Sequence, residues 1–327
     1  MAEKFCFTET KNRITDKLTF CGVPQNQAEI FADCLATADL YGVSSHGSRI
    51  LSAHIEKIKR GDYNLSPSFT ILRETAAFAV IDGDNSIGAV SADYCMNYAV
   101  EKCEKSGMFT VFSNNNNTFG PAFYYPMKAA QKGYIALIAS NSPAQMAPVG
   151  GKEKLLGTNP FAAVIPIPNG QPIILDMATS VVAKSKFKEY KESGKQLPDG
   201  WALDVNGNPT NDPDEGIKGL VLPMAGFKGY GIAMLIDILS GVLSGAAYLN
   251  NVGRFYSPDG DCMNVGYYIT VIDPVQVLGE NYREIISDFV NTLRHSPTAE
   301  GQTIALPGDD RLKAKEANAD TDEINPT

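Results

Sequence analysis

Residues 226–249 read GFKGYGIAMLIDILSGVLSGAAYL, and the reading of this stretch decides the fold. From Gly231 to Leu249 it is apolar almost throughout and approaches the length of a membrane span. Asp237 sits near its middle, and the chain has no second stretch of this kind. A carboxylate at mid-membrane is costly, so the expectation is a helix buried in a globular core. The opening Gly226-Phe227-Lys228-Gly229-Tyr230-Gly231 offers free N–H groups, small residues and a lysine, which suit a phosphate. The same glycines would equally permit tight helix packing. The run is neither G-x-G-x-x-G, since the third position is Met234, nor a Walker loop.

Outward from this segment, helices and strands alternate. Residues 24–40 carry Ile30, Phe31, Cys34, Leu35 and Ala38 at helical spacing. Residues 45–59 read as a second helix, capped by Ser44 or Ser45, with an apolar face of Ile50, Leu51, Ile55 and Ile58 and Gly61 after its basic end. Strands are expected at 77–81, 108–112, 134–139 and 267–272, and helices at 87–106, 121–132 and 281–294. Residues 161–167 and 172–175 flank Pro168-Asn169-Gly170 as a hairpin. Ser113 to Thr118, with four consecutive asparagines, reads as a polar loop, and 184–219 as a long loop or small subdomain. The tail from about Arg311 is charged and reads as loosely packed. The pattern is α/β or α+β, divided into a discontinuous lobe (1–75 plus 265–327) and a second lobe (76–264).

A net charge of −9 without a basic stripe argues against nucleic acid and anionic membrane surfaces. The N-terminus MAEKFCFTETKNR lacks the apolar run of a signal peptide. Six scattered cysteines with no C-x-x-C pair, and only three histidines, speak against a metal cluster and for a reduced, cytoplasmic setting.

Four constellations could carry chemistry. In Ser44-Ser45-His46-Gly47-Ser48-Arg49, His46 can move a proton near neutrality, and Arg49 can grip a carboxylate through paired hydrogen bonds. The bland alternative is an ordinary helix histidine beside an arginine, and His54, further along, reads that way. The glycine–lysine opening of 226–231 is the second. The third pairs Gly157-Thr158-Asn159-Pro160 with Asp176-Met177-Ala178-Thr179-Ser180, small polar groups at strand ends that suit a ribose or carboxamide and also form turns. The asparagine run is the fourth: amides tolerate left-handed turns, and strand-to-loop transitions often touch substrate.

These segments occur in a familiar order. DLYGVSSHGSRI (39–50), VGGKEKLLGTNPFAAVIP (149–166), ILDMATSVVAKSK (174–186), FKGYGIAMLIDILSGVLSGA (227–246) and LPGDD (306–310) make the chain resemble the malate/L-lactate dehydrogenase family that lacks a Rossmann fold. The resemblance spans about residues 30 to 310. It implies a family-specific α/β fold with a mixed central sheet and a helical N-terminal segment, and a homodimer with shared active sites. It further implies NADH or NADPH as cofactor and hydride transfer to a small 2-oxo acid. His46 matches a proton donor, with Thr118 beside it in the pocket; Arg49, Ser45, Asn117 and Asn159 match substrate-side positions. Asn141, Thr158, Asp176, Met177, Ala178, Thr179, Ser180, Lys228, Gly229, Gly308 and Asp309 match cofactor-side positions.

The chain departs from the family pattern at several points. A usual Asn-His-Phe-Gly is Asn117-Thr118-Phe119-Gly120, and a threonine hydroxyl does not titrate near neutrality. Histidines are likewise replaced by Phe227 and Tyr267, and a usual glycine by Ser185. Three readings stay open. His46 alone supplies the proton; the substrate is an already protonated imine, reduced by a ketimine reductase; or the chain binds a metabolite without catalysis.

Overall fold

The computed structural model describes residues 6–257 and 262–319. An N-terminal pair, α1 (Phe7–Phe20) and α2 (Gln25–Leu40), packs through Ile14 and Leu18 against Phe31 and Leu35. Two short 3-10 turns, Ser44–His46 and Ser48–Ile50, lead into α3 (Leu51–Arg60). The expected single helix over 45–59 is therefore broken, and neither Ser44 nor Ser45 caps it. Gly47 causes the break. It is extended (φ −95°, ψ −155°), and a Cβ there would lie 1.8 Å from Asp39 Oδ1. The Asp39 carboxylate instead accepts the Ser48 N–H at 2.9 Å and pins the loop to α2.

The strands β1 (Thr70–Glu74), β2 (Phe78–Asp82), β3 (Met108–Asn116), β4 (Ile135–Ser140), β5 (Phe161–Ile165), β6 (Ile173–Met177) and β10 (Val265–Ile272) form one sheet in the order β1-β2-β3-β10-β4-β5-β6. Only β2 and β3 pair in parallel. β10 lies at the centre, hydrogen-bonded to β3 and β4, so the division at 76 and 265 runs through the sheet. α4 (Gly88–Ser106) and α5 (Tyr124–Gln131) cover one face, where Cys95, Met96 and Val100 meet Val111 and Tyr267 in the core.

β3 runs on through Asn116, where a loop was expected. The asparagines make the extension possible. Asn115 takes a left-handed turn (φ 52°), its N–H meets Asn264 Oδ1 at 2.9 Å, and the β3–β10 register shifts there. Asn114 Nδ2 donates to Ser244 O at 2.6 Å and Asn116 Nδ2 to Ser113 Oγ at 3.0 Å. The run is thus a bulge whose side chains complete the hydrogen bonding that the bulge interrupts.

Residues 184–219 form the small subdomain: α6 (Ser185–Glu192), β7 (Ala202–Leu203), β8 (Pro209–Thr210) and α7 (Pro213–Lys218), closed by β9 (Leu220–Val221) into a three-stranded sheet. α8 (Phe227–Asp237) then continues as a π-helical segment, Ile238–Val242. Asp237 is buried and satisfied: Asn141 Nδ2 (3.1 Å) and Leu249 N (3.0 Å) donate to it, and burial raises its pKa. The π segment packs on the sheet face opposite α4, so closely that a Cβ at Gly266 of β10 would lie 1.5 Å from Ser240 O. The expectation of a helix buried all round is corrected. Phe227, Met234, Leu235, Ile238, Val242 and Leu243 form an exposed apolar stripe on the chain, Leu235 being 53% exposed.

The C-terminal elements are α9 (Pro274–Leu278), α10 (Tyr282–Arg294) and α11 (Asp309–Asn318). The expected loose tail from Arg311 is also corrected. α11 is a helix with Leu312 buried, Asn318 Nδ2 bonded to Leu40 O at 3.1 Å, and Lys315 over the Tyr41 ring. The part of that tail beyond residue 319 lies outside the described residues, as does the start of the N-terminal segment.

Candidate active site

Two cavities meet at His46. The larger, about 690 Å³, is a groove past Ser45, the β6 end at Asp176 to Ala178, Ser180 to Ser185, Met224 and Arg311. The smaller, about 130 Å³, lies behind it, between Thr118–Gly120, Ser140–Pro143, Met263 and Val265. His46, Gly120, Thr158 and Pro160 line both. A groove of this size suits a cofactor and the inner chamber a small substrate. A third recess, about 320 Å³ and bounded by residues such as Val149, Leu203 and Leu220, has no titratable group in its lining.

His46 is oriented by its neighbour. Ser45 Oγ lies 2.9 Å from His46 Nδ1, which leaves Nε2 as the nitrogen available to a ligand. The ring is reached by solvent through the cavities yet hemmed in by protein. Burial, and next the Arg311 charge, lower its pKa from the ordinary value near 6.5. Both effects favour the neutral ring. Thr118, in the same small chamber, adds a hydroxyl. It is held there by Tyr267, fully buried, whose hydroxyl donates to the Asn117 carbonyl. Tyr267 thus occupies the core and shapes the loop, whereas Phe227 lies exposed at the start of α8.

The structure separates the expected site residues into two groups. His46, Thr118, Ser45, Thr158, Asp176, Met177, Ala178, Ser180 and Asn141 line the cavities. The Asn141 side chain is already spent on Asp237, Ala247 O and the Gly266 N–H. Asn159 is fully buried, its oxygen taking the Ser142 N–H (3.0 Å) and its nitrogen meeting Ala233 O (2.8 Å). Asn117 is buried too, donating to Asn85 Oδ1 and Ser86 O. Thr179 is buried against Thr158 O. These amides and hydroxyls position the strand ends that carry the cavity wall. Gly229 sits directly behind Met224, whose carbonyl accepts its N–H at 2.9 Å, and Lys228 is exposed beside it. Asp309 is held by both Arg294 Nη atoms and the Leu306 N–H, and Gly308 packs on Ile174. Arg49 is exposed and outside both linings.

Two charged groups of the groove were not anticipated. Arg311 pairs with Asp176, Nη2 to Oδ2 at 3.2 Å and to the Asp176 carbonyl at 3.1 Å, and lies over the Phe123 ring. Burial raises the Asp176 pKa and Arg311 pulls it back. Lys184 donates to Gly219 O at 2.9 Å; burial, then the Lys154 charge, lower its pKa to about 8. The only sequence signal for Arg311 was its place just past LPGDD, inside a stretch whose composition reads as tail.

The residues fit a nicotinamide dinucleotide: two cations and a histidine face a groove whose one acid is already paired. Among the described residues no group of three or more His, Cys, Asp or Glu could hold a metal ion. No described helix is long and apolar enough to cross a membrane.

The family model described as malate/L-lactate dehydrogenase matches residues 5–325. The chain is 39% identical to a malate dehydrogenase of Pyrococcus horikoshii over 85% of its length and 79% of the relative's. It is 32% identical to the ureidoglycolate dehydrogenase (NAD(+)) of Escherichia coli K12, over 95% of the chain and 89% of the relative. The solved sulfolactate dehydrogenase of Methanocaldococcus jannaschii superposes with a TM-score of 0.91 at 35% identity, covering 96% of this chain and 91% of that one. The order of motifs, the mixed sheet and the histidine-centred double cavity thus converge with these matches: the chain belongs to the malate/L-lactate dehydrogenase family.

Proposed function

We propose that this protein transfers a hydride between NAD(P)H and C2 of a small 2-oxo acid, with the reverse oxidation of the 2-hydroxy acid. The observation that carries this reading is His46 at the junction of a cofactor-sized groove and a small polar chamber. NAD(P)H, when bound, supplies the hydride. His46 Nε2 gives the proton to the carbonyl oxygen in reduction and removes it from the hydroxyl in oxidation. Ser45 fixes the ring through Nδ1. Thr118 offers a hydroxyl to the substrate and confines it beside Phe119 and Met263. Arg49, exposed and outside both linings of the single chain, is given the substrate carboxylate on the family resemblance alone. The backbone from Asp176 to Ser180, with Thr158, lines the cofactor groove. The largely antiparallel strand order supports cofactor binding outside any Rossmann crevice.

A homodimer belongs to this reading. The stripe from Phe227 to Leu243 is a contiguous apolar face beside the groove wall at Met224, of the kind that marks an interface. A cytoplasmic setting is supported by six cysteines that form no disulfide.

Neutral His46 favours one second reading, reduction of a 2-imino acid, because a protonated imine brings its own proton. Both are tested by following NADH and NADPH oxidation with a panel of 2-oxo acids, each with and without methylamine, and with cyclic imines. Turnover of 2-oxo acids alone is expected. Turnover only with imines would move the assignment to ketimine reduction, and a silent panel would overturn both.

A further inference from the structure

Arg311 stands at a point no motif of the chain marks, and its guanidinium is only half used. Of the five N–H donors of such a group, the protein engages those of Nη2, with the carbonyl and carboxylate of Asp176. Nε and Nη1 meet no hydrogen-bond partner among the described residues, and the side chain is 20% exposed in the wall of the groove. Asp176 on one edge and the Phe123 ring, 5.3 Å from the guanidinium carbon, fix the plane of the fork. A preoriented arginine fork with a free edge is built for a bidentate anion. The charges of the groove agree: Arg311 and Lys184 against Asp176 alone.

We propose that Arg311 is the anion clamp of this groove, taking a phosphate of the nicotinamide dinucleotide on its unused edge while Asp176 holds the other edge in place. The inference rests on the dehydrogenase reading for the identity of the cofactor.

The test reads binding, not turnover. NADH and NADPH dissociation constants are measured by fluorescence titration for the wild type, Arg311→Lys, Asp176→Asn, and Asp176→Asn combined with Arg311→Gln. The double variant leaves no buried carboxylate unpaired, and circular dichroism checks that each variant folds. Arg311→Gln in the Asp176→Asn background is expected to weaken binding about 10- to 100-fold, the range of charge-assisted hydrogen bonds. Arg311→Lys, which keeps charge but loses the fork, is expected to fall between. Unchanged cofactor affinity in the Arg311 variants overturns the clamp. A wild type that binds neither cofactor overturns the dehydrogenase reading itself, whereas binding that ignores Arg311 overturns the clamp alone.

Discussion

At the residue scale, the chemistry rests on His46. His46→Ala is expected to lower kcat by about 10²–10⁴-fold, the usual contribution of general acid–base catalysis, with cofactor affinity nearly unchanged by fluorescence titration. If turnover survives, the acid assignment falls. Its depressed pKa sets the pH profile. Oxidation needs neutral His46, so its kcat/KM should rise with pH and level off below the ordinary histidine value near 6.5, a shift that pH–rate profiles resolve. His54 is the opposite case, a structural histidine as its position suggested. It is buried against Phe31 and Phe255, accepts or donates at Nδ1 with the Tyr63 hydroxyl, and its pKa is lowered to about 3 by burial and then by Lys57. Its unfolded form takes a proton near 6.5, its folded form only near 3. It therefore contributes stability that is complete above pH 6.5 and lost as pH falls towards 3, on the order of 5 kcal/mol. Urea unfolding at pH 7 and pH 4 should show a shallower acid loss in His54→Phe than in the wild type.

At the scale of elements, close backbone approaches decide geometry. Gly47 allows Asp39 to reach the Ser48 N–H and so sets where the His46 turn ends. Gly47→Ala should displace that turn and lower kcat at least tenfold while the melting temperature moves little, because α2 and α3 keep their packing. Gly266→Ala acts on the core instead. Its Cβ would run into Ser240 O, separating the π segment from β10, and a loss of about 3 kcal/mol or more in chemical denaturation is expected. The asparagine run shows why its reading as a loop failed. Asparagine is a poor strand former by itself, and only the facing Asn264, Ser244 and Asp82 groups, distant in sequence, let β3 continue through it. The α11 helix misled for a related reason: its polar and charged residues read as a tail until Tyr41, Leu40 and Asp176 give Lys315, Asn318 and Arg311 their partners.

At the scale of the whole molecule, the exposed stripe along α8 and the π segment predicts association of two chains. Leu235→Glu with Ile238→Glu should convert a dimer to a monomer in sedimentation velocity and reduce activity with it; a wild type that sediments as a monomer would remove the homodimer from the functional reading. The sequence by itself determined the local facts: most elements, the polar stretch at 184–219 as a loop or small subdomain, His46 and Thr118 as candidates, and the family. Each is carried by contiguous residues, whose periodicity and spacing survive without knowledge of the fold. Tertiary structure alone decided which of the remaining polar groups face the cavity. Asn159 and Asn117 turned inward to satisfy backbone, while Arg311 and Lys184 came from distant segments to line the groove. A side chain's role there depends on which partner fills its hydrogen bonds, and those partners lie up to 135 positions away in the chain.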